Sequence, residues 1–315
     1  MDKETKSYLK IALAGSLWGM IGIFVQTLRG FGLSAEFVAF SRVFLGFALL
    51  AVWFLIKDPS ILKIDLKGLI SACVIGVISQ GLFNLTYFAS IQRVGTFTAV
   101  VLLYFSPVFM FLLGTFMYKE KADKRKIISV LICFAGCIFG VTGGDFSALK
   151  ADLPGIALGL IASLSYSLMP ALSKKTASSY NPFTIIIYSF MFGSLMLLPF
   201  AKPMNELYML QDLRLVVLLI AFSIFVAAMP YCLYIPSLHN VQVSKLGVIA
   251  SVELIVSIAI AAVFLKEPVR LGNLIGVAII LVSIVAMNKP PVKMIKREIS
   301  QVVIAFVENR RAYYY

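Results

Sequence analysis

Residues 98–120 read TAVVLLYFSPVFMFLLGTFMYKE, and residues 245–267 read KLGVIASVELIVSIAIAAVFLKE. Each is a run of some twenty apolar residues closed by Lys-Glu, and the two stand 147 residues apart. A hydrocarbon core of about 30 Å takes about 20 helical residues to cross. Alternation of polar and apolar residues, the mark of a membrane strand, is absent from both, so they read as membrane helices. Working outward, eight further runs reach or approach that length. The ten predicted spans are 9–28, 36–56, 68–90, 96–118, 127–143, 154–172, 183–199, 214–236, 244–265 and 272–287.

The composition agrees. Of 315 residues, 60% are apolar and 14% charged, with mean hydropathy +0.95. Soluble domains hold about 45–50% apolar and about 25% charged residues, and disorder requires low hydrophobicity. The net charge of +13 lies in short clusters between apolar runs. No soluble basic face remains for nucleic acid. Cys73, Cys133, Cys137 and Cys232 all fall inside apolar runs and read as small core residues. With one histidine, His239, no four-ligand zinc set is expected, and no other metal or cofactor. The apolar run behind the basic N-terminus exceeds a signal-peptide core of about 7–15 residues and reads as a retained first span.

Lys and Arg set the orientation. With the N-terminus in the cytoplasm, 20 fall on that side and 7 on the other, Arg42 lying within a span. This predicts a multi-pass protein of the cell membrane with both termini cytoplasmic. The 147-residue register superposes all five spans of one half on those of the other, pairing Ser16-Leu17 with Ser163-Leu164, Gly46 with Gly193, Lys67 with Arg214 and Asn84 with Tyr231. Five is odd, so the second half enters the membrane inverted, the architecture of many secondary transporters. The expected fold is all-α, ten transmembrane helices in two inverted five-helix repeats. The expected divisions are a cytoplasmic N-terminus (1–8), repeats at 9–143 and 154–288, and a basic amphipathic tail (289–315) lying on the anionic leaflet.

Leu17-Trp18-Gly19 in span 1, Phe40-Ser41-Arg42-Val43-Phe44-Leu45 in span 2, Tyr104-Phe105-Ser106-Pro107-Val108 in span 4 and the Lys-Glu after spans 4 and 9 together resemble the EamA family of the drug/metabolite transporter superfamily. The resemblance covers about residues 8–288. It implies an exporter-like carrier of amino acids or other small metabolites, with a central cavity between the halves and alternating access. Two positions depart from the pattern: Lys245 stands where the first half has Thr98, and Glu253-Leu254 replaces Ser106-Pro107.

Glu253 is the sharpest single feature. Nine residues into span 9, it lies about 13 Å deep at 1.5 Å per residue, and ionisable residues at such depth are costly and functional by default. It reads as a proton-coupling carboxylate or a partner for a substrate cation; the competing reading is a protonated structural Glu. Arg42, about 9 Å below a span end, is either an anion clamp and coupling partner or a snorkelling structural residue. Trp18, Asn84, Tyr104, Ser106, Tyr166, Ser189, Tyr231 and Ser251 are expected to line a mostly apolar cavity or to bond between helices. Tyr87 and Tyr234, nearer span ends, are expected in the interfacial belt. Pro107 and Pro230 mark hinges or static kinks. Gly15, Gly19 and Gly22 form a packing face on span 1.

Neither His-Glu-x-x-His nor a deep Asp pair points to an intramembrane enzyme, and no phosphate loop points to ATP. The expected partners are a small-molecule substrate and the lipid bilayer, the chain acting as monomer or homodimer. A lipid-carrier flippase built on the same helices is the alternative.

Overall fold

The computed structural model describes residues 3–147, 149–264 and 270–288. Lys266-Glu267 and the tail 289–315 lie outside them. The described residues form fourteen α-helices and no strand: α1 (Lys3–Trp18), α2 (Ile21–Gly30), α3 (Ala35–Lys57), α4 (Leu66–Gly76), α5 (Phe83–Leu103), α6 (Ser106–Tyr118), α7 (Lys124–Thr142), α8 (Leu153–Ala177), α9 (Pro182–Ala201), α10 (Leu213–Ser223), α11 (Met229–Ser237), α12 (Val243–Ala250), α13 (Val252–Phe264) and α14 (Leu271–Asn288). Eight continuous helical stretches are long and apolar enough to cross a membrane, and α6 and α14 are shorter apolar helices.

The surface is that of a protein solvated by lipid. Leu153 is 83% exposed and Phe116 76%, whereas the interior holds more than a dozen buried serines, among them Ser163 and Ser167. A serine in a membrane helix satisfies itself on the preceding turn or across to a neighbour. Ser79 donates to Ile75 O (2.6 Å), and Ser90 reaches Gly155 O on α8 (2.8 Å).

Several spans that read as single runs are interrupted. Span 1 breaks at Gly19-Met20, span 4 at Tyr104-Phe105 and span 9 at Ser251. Pro107 explains the break in span 4, since it sits in the first turn of α6, where a missing N–H costs nothing. The Leu103 carbonyl, which Pro107 has no N–H to meet, finds a partner on α8 in Ser163 (2.9 Å), and Ser167 beside it donates to Ser106 O (3.2 Å). Between α4 and α5 the chain makes a π-helical turn, Val77–Leu82, and another, Ile224–Ala228, joins α10 to α11. Gly95, at φ +79 and ψ 162, breaks the helical path inside α5.

Most of these features recur at the 147-residue register, although the break at Gly19-Met20 does not, α8 being continuous there. The starts of α3 and α9, α4 and α10, α7 and α14, and of the two π-turns, are all so spaced, as are the ends of α5 and α12. Packing follows suit: α3 lies on α9 and α7 on α14, and α5 on α8 answers α11 on α1. Side-chain bonds sort the connections into two groups. At the end where the chain begins, Tyr180 donates to Asp65 (2.7 Å), Thr184 to Ile61 O (2.6 Å) and Asn240 to Ser7 (3.0 Å). At the far end, Glu206 accepts from Ser34 N (3.1 Å), Arg93 pairs with Asp152 (3.3 Å) and Arg270 with Asp145 (2.9 Å).

Candidate functional site

Glu253 is the second residue of α13, two past the interruption at Ser251, so it stands where two short helices meet inside the bundle. Helix α1 fixes its position. A Cβ on Gly19 would stand 2.7 Å from Glu253 O, and one on Gly15 3.1 Å from Ala250 O. Only glycine lets α1 lie this close to the backbone carrying the carboxylate. Gly22, read as part of the same face, has nothing within 4 Å of its would-be Cβ.

The Glu253 side chain lines a small cavity of about 20 Å³ together with Leu103, Tyr104, Ser106, Met110, Tyr166, Gly247, Ala250 and Ser251. That is room for about one water molecule, far below the about 300–1,000 Å³ of an open small-molecule site. Both halves contribute to its wall. The Tyr166 hydroxyl donates to Glu253 Oε2 (3.5 Å). Behind Ser251, whose hydroxyl donates to Gly247 O (2.8 Å), stand two buried thiols, Cys133 at 3.2 Å and Cys137 at 3.8 Å.

Five of the expected site residues therefore share one cavity: Tyr104, Ser106, Tyr166, Ser251 and Glu253. The others lie beside it. Tyr231 lines a second, smaller cavity of about 10 Å³ with Ser79, Gln80, Ser173 and Ser189, and accepts a hydrogen bond from Gln80 Nε2. Trp18 packs edge-on to Tyr231 at 5.5 Å between ring centroids and against Tyr234 at 5.2 Å. Asn84, buried, donates to Gln80 O on the preceding turn and lines neither cavity. Tyr234, expected in the interfacial belt, is 1% exposed because α1 covers its end of α11. Tyr87 stacks on Phe83 at 5.7 Å, half-buried, rather than in an exposed belt. Pro230 lies just past the π-turn at Ile224–Ala228.

One model, that of the EamA-like transporter family, matches twice, over residues 5–142 and 153–289. The chain belongs to the EamA-like transporter family. It is thus a multi-pass membrane transporter. An uncharacterized transporter of Archaeoglobus fulgidus is 26% identical over 278 residues, 87% of this chain and 93% of that one. The uncharacterized inner membrane transporter YicL of Salmonella typhimurium is 21% identical over 292 residues, 91% and 97% of the two chains. The uncharacterized transporter YvbV of Bacillus subtilis is 24% identical over 293 residues. A crystal structure 15% identical in sequence superposes with a TM-score of 0.75 over 90% of this chain and 96% of its own, and so shares the fold.

In this EamA-like chain Arg42 sits on α3, half-buried, within electrostatic reach of Tyr231, Glu253 and Tyr166. Among the described residues it makes no hydrogen bond or ion pair, so its guanidinium does not neutralise Glu253 directly. Sequence reasoning missed Gln80. A glutamine deep in an apolar run carries the same signal as Glu253, without the charge. It also missed the role of the Lys-Glu motif after span 4. Glu120 accepts from Val243 N (2.8 Å) and from Ser244 N (3.0 Å) and Oγ, capping α12 from across the bundle.

Proposed function

We propose that the chain is a secondary exporter of small organic metabolites such as amino acids, coupled to the proton gradient through Glu253. On this reading ten helices cross the cell membrane in two five-helix halves, 9–143 and 154–288, inserted in opposite senses with both termini cytoplasmic. Pro107 and the Pro230 region act as hinges. The observation that carries the proposal is the single carboxyl of Glu253 at the wall of a cavity built by both halves. A carboxyl there binds either a proton or the cationic group of a substrate. Competition between the two lets an inward proton gradient drive outward movement. The surrounding aromatic rings and hydroxyls supply an apolar wall with a few orienting groups.

The test uses proteoliposomes loaded with mixed proteinogenic amino acids, with release followed by mass spectrometry while the outer pH is lowered. The unmodified protein releases its substrate faster under the gradient. Glu253→Gln, which cannot titrate, loses the gradient-driven release and retains exchange of substrate for substrate, since exchange moves no net proton. Release indifferent to the gradient in the unmodified protein refutes the coupling. Full gradient-driven release by the Gln variant returns Glu253 to a structural role.

A further inference from the structure

The 147-residue register pairs α12 with residues 96–103 of α5, and α6 with α13, yet the two pairs are packed differently. At the end where the chain begins, α12 lies tightly along α6. A Cβ on Gly247 would stand 2.5 Å from Pro107 Cα, and one on Gly114 would stand 2.7 Å from Ser244 N. At the far end, no comparable packed face joins α5 to α13 among the described residues. Among the described residues, the close seam between these paired elements therefore lies at the end where the chain begins. The shut seam lies directly against the central cavity, since Met110 of α6 and Gly247 of α12 belong to its wall.

The shut end is also where bonds between separate parts of the chain converge on one short segment. The Glu120 carboxylate, at the end of α6, holds the first turn of α12 through two backbone N–H groups and the Ser244 hydroxyl. Lys174 of α8 donates to Val241 O, and Asn240 donates to Ser7 of α1 (3.0 Å). Lys245 Nζ donates to the Tyr8 hydroxyl (3.0 Å) and lies 3.6 Å from Glu4. A carboxylate accepting from the amino end of a helix makes a charge-assisted bond reinforced by the helix dipole. Its donors belong to the element that must leave α6 if the cavity is to open at this end.

We infer that Glu120 is the latch of this closed end: its bonds to Val243 and Ser244 hold α12 on α6, and releasing them opens the central cavity to the face on which the chain begins. Lys245, with Glu4 and Tyr8, ties the same segment to α1 and acts beside it as a positioning residue. The inference rests on the alternating-access reading.

Its test needs neither substrate nor gradient. In the full chain with the four native cysteines replaced by alanine, Ser106→Cys places one thiol in the cavity wall. A membrane-impermeant methanethiosulfonate is applied to right-side-out and to inside-out vesicles. The parent should label from one face only. Glu120→Ala should raise labelling from the other face by about tenfold, the equivalent of losing one charged hydrogen bond. Ser244→Ala, a milder change that keeps the carboxylate, should raise it by a smaller factor, and it decides the matter if Glu120→Ala does not fold. Equal labelling of the parent from both faces overturns the closed-end assignment. Unchanged labelling in the Ala variants overturns the latch. A latch response with the two faces exchanged leaves the latch standing and refutes the proposed orientation. Transport that ignores the pH gradient refutes the coupling and leaves the labelling result intact.

Discussion

Gly19 shows how one missing side chain positions a functional one. With its would-be Cβ 2.7 Å from Glu253 O and 2.8 Å from Val256 Cβ, Gly19→Leu must push α1 away from α13. Overpacking of this kind costs about 1–3 kcal/mol. The expected outcome is a lower unfolding temperature in detergent and loss of transport, whereas Gly22→Leu, facing open space, changes neither. Glu253 was legible from the sequence because a carboxylate inside an apolar run is costly wherever the run folds. Gly15 and Gly19 were legible as a packing face, but what they pack against was not. Tyr234 was misplaced because distance along a span does not reveal which neighbour covers the span's end. Gln80 was passed over although its amide holds Tyr231.

At the level of elements, the apolar runs located the α-helices among the described residues but not their interruptions. A π-turn such as Val77–Leu82 leaves no signature in hydropathy. The break at Ser251 occurs without the proline that accounts for its counterpart at Tyr104-Phe105. Gly95, like Pro107, marks a break that residue type explains, since its φ and ψ lie in a region open essentially to glycine alone. Gly95→Ala should therefore destabilise the protein by about 1–3 kcal/mol, read as a loss of melting temperature, although nothing stands within 4 Å of the new methyl. The loops make a different prediction. Hydrogen bonds from Ser147, joined by Arg270, pull the Asp145 carboxyl down to about 2. A depressed carboxylate stabilises the fold above its ordinary value, and that contribution fades as pH falls through about 2. The small loss of stability caused by Asp145→Asn should thus be the same at pH 5 and pH 8. A loss that differs between them would show that the pair titrates in that range.

For the whole molecule, the excess of Lys and Arg in one set of loops predicts which set meets the cytoplasm. Lys150→Cys, at the far end beside Thr98, should react with an impermeant thiol reagent from outside intact cells. Reaction only in inside-out vesicles would reverse the orientation. The shared positions of helix starts, π-turns and breaks in the two halves carry one further consequence. On the inverted arrangement proposed above, opening to one side is the same rearrangement as opening to the other with the halves' roles exchanged. Were the halves identical, the two states would be isoenergetic and equally populated. The preference for either is therefore written wholly in the positions where the halves differ, of which Lys245 against Thr98 is the plainest, and each 1.4 kcal/mol of difference shifts the ratio about tenfold. A substitution that biases the carrier toward one side should accordingly be offset by the matching substitution 147 residues away, so that second-site suppressors become predictable from the register alone.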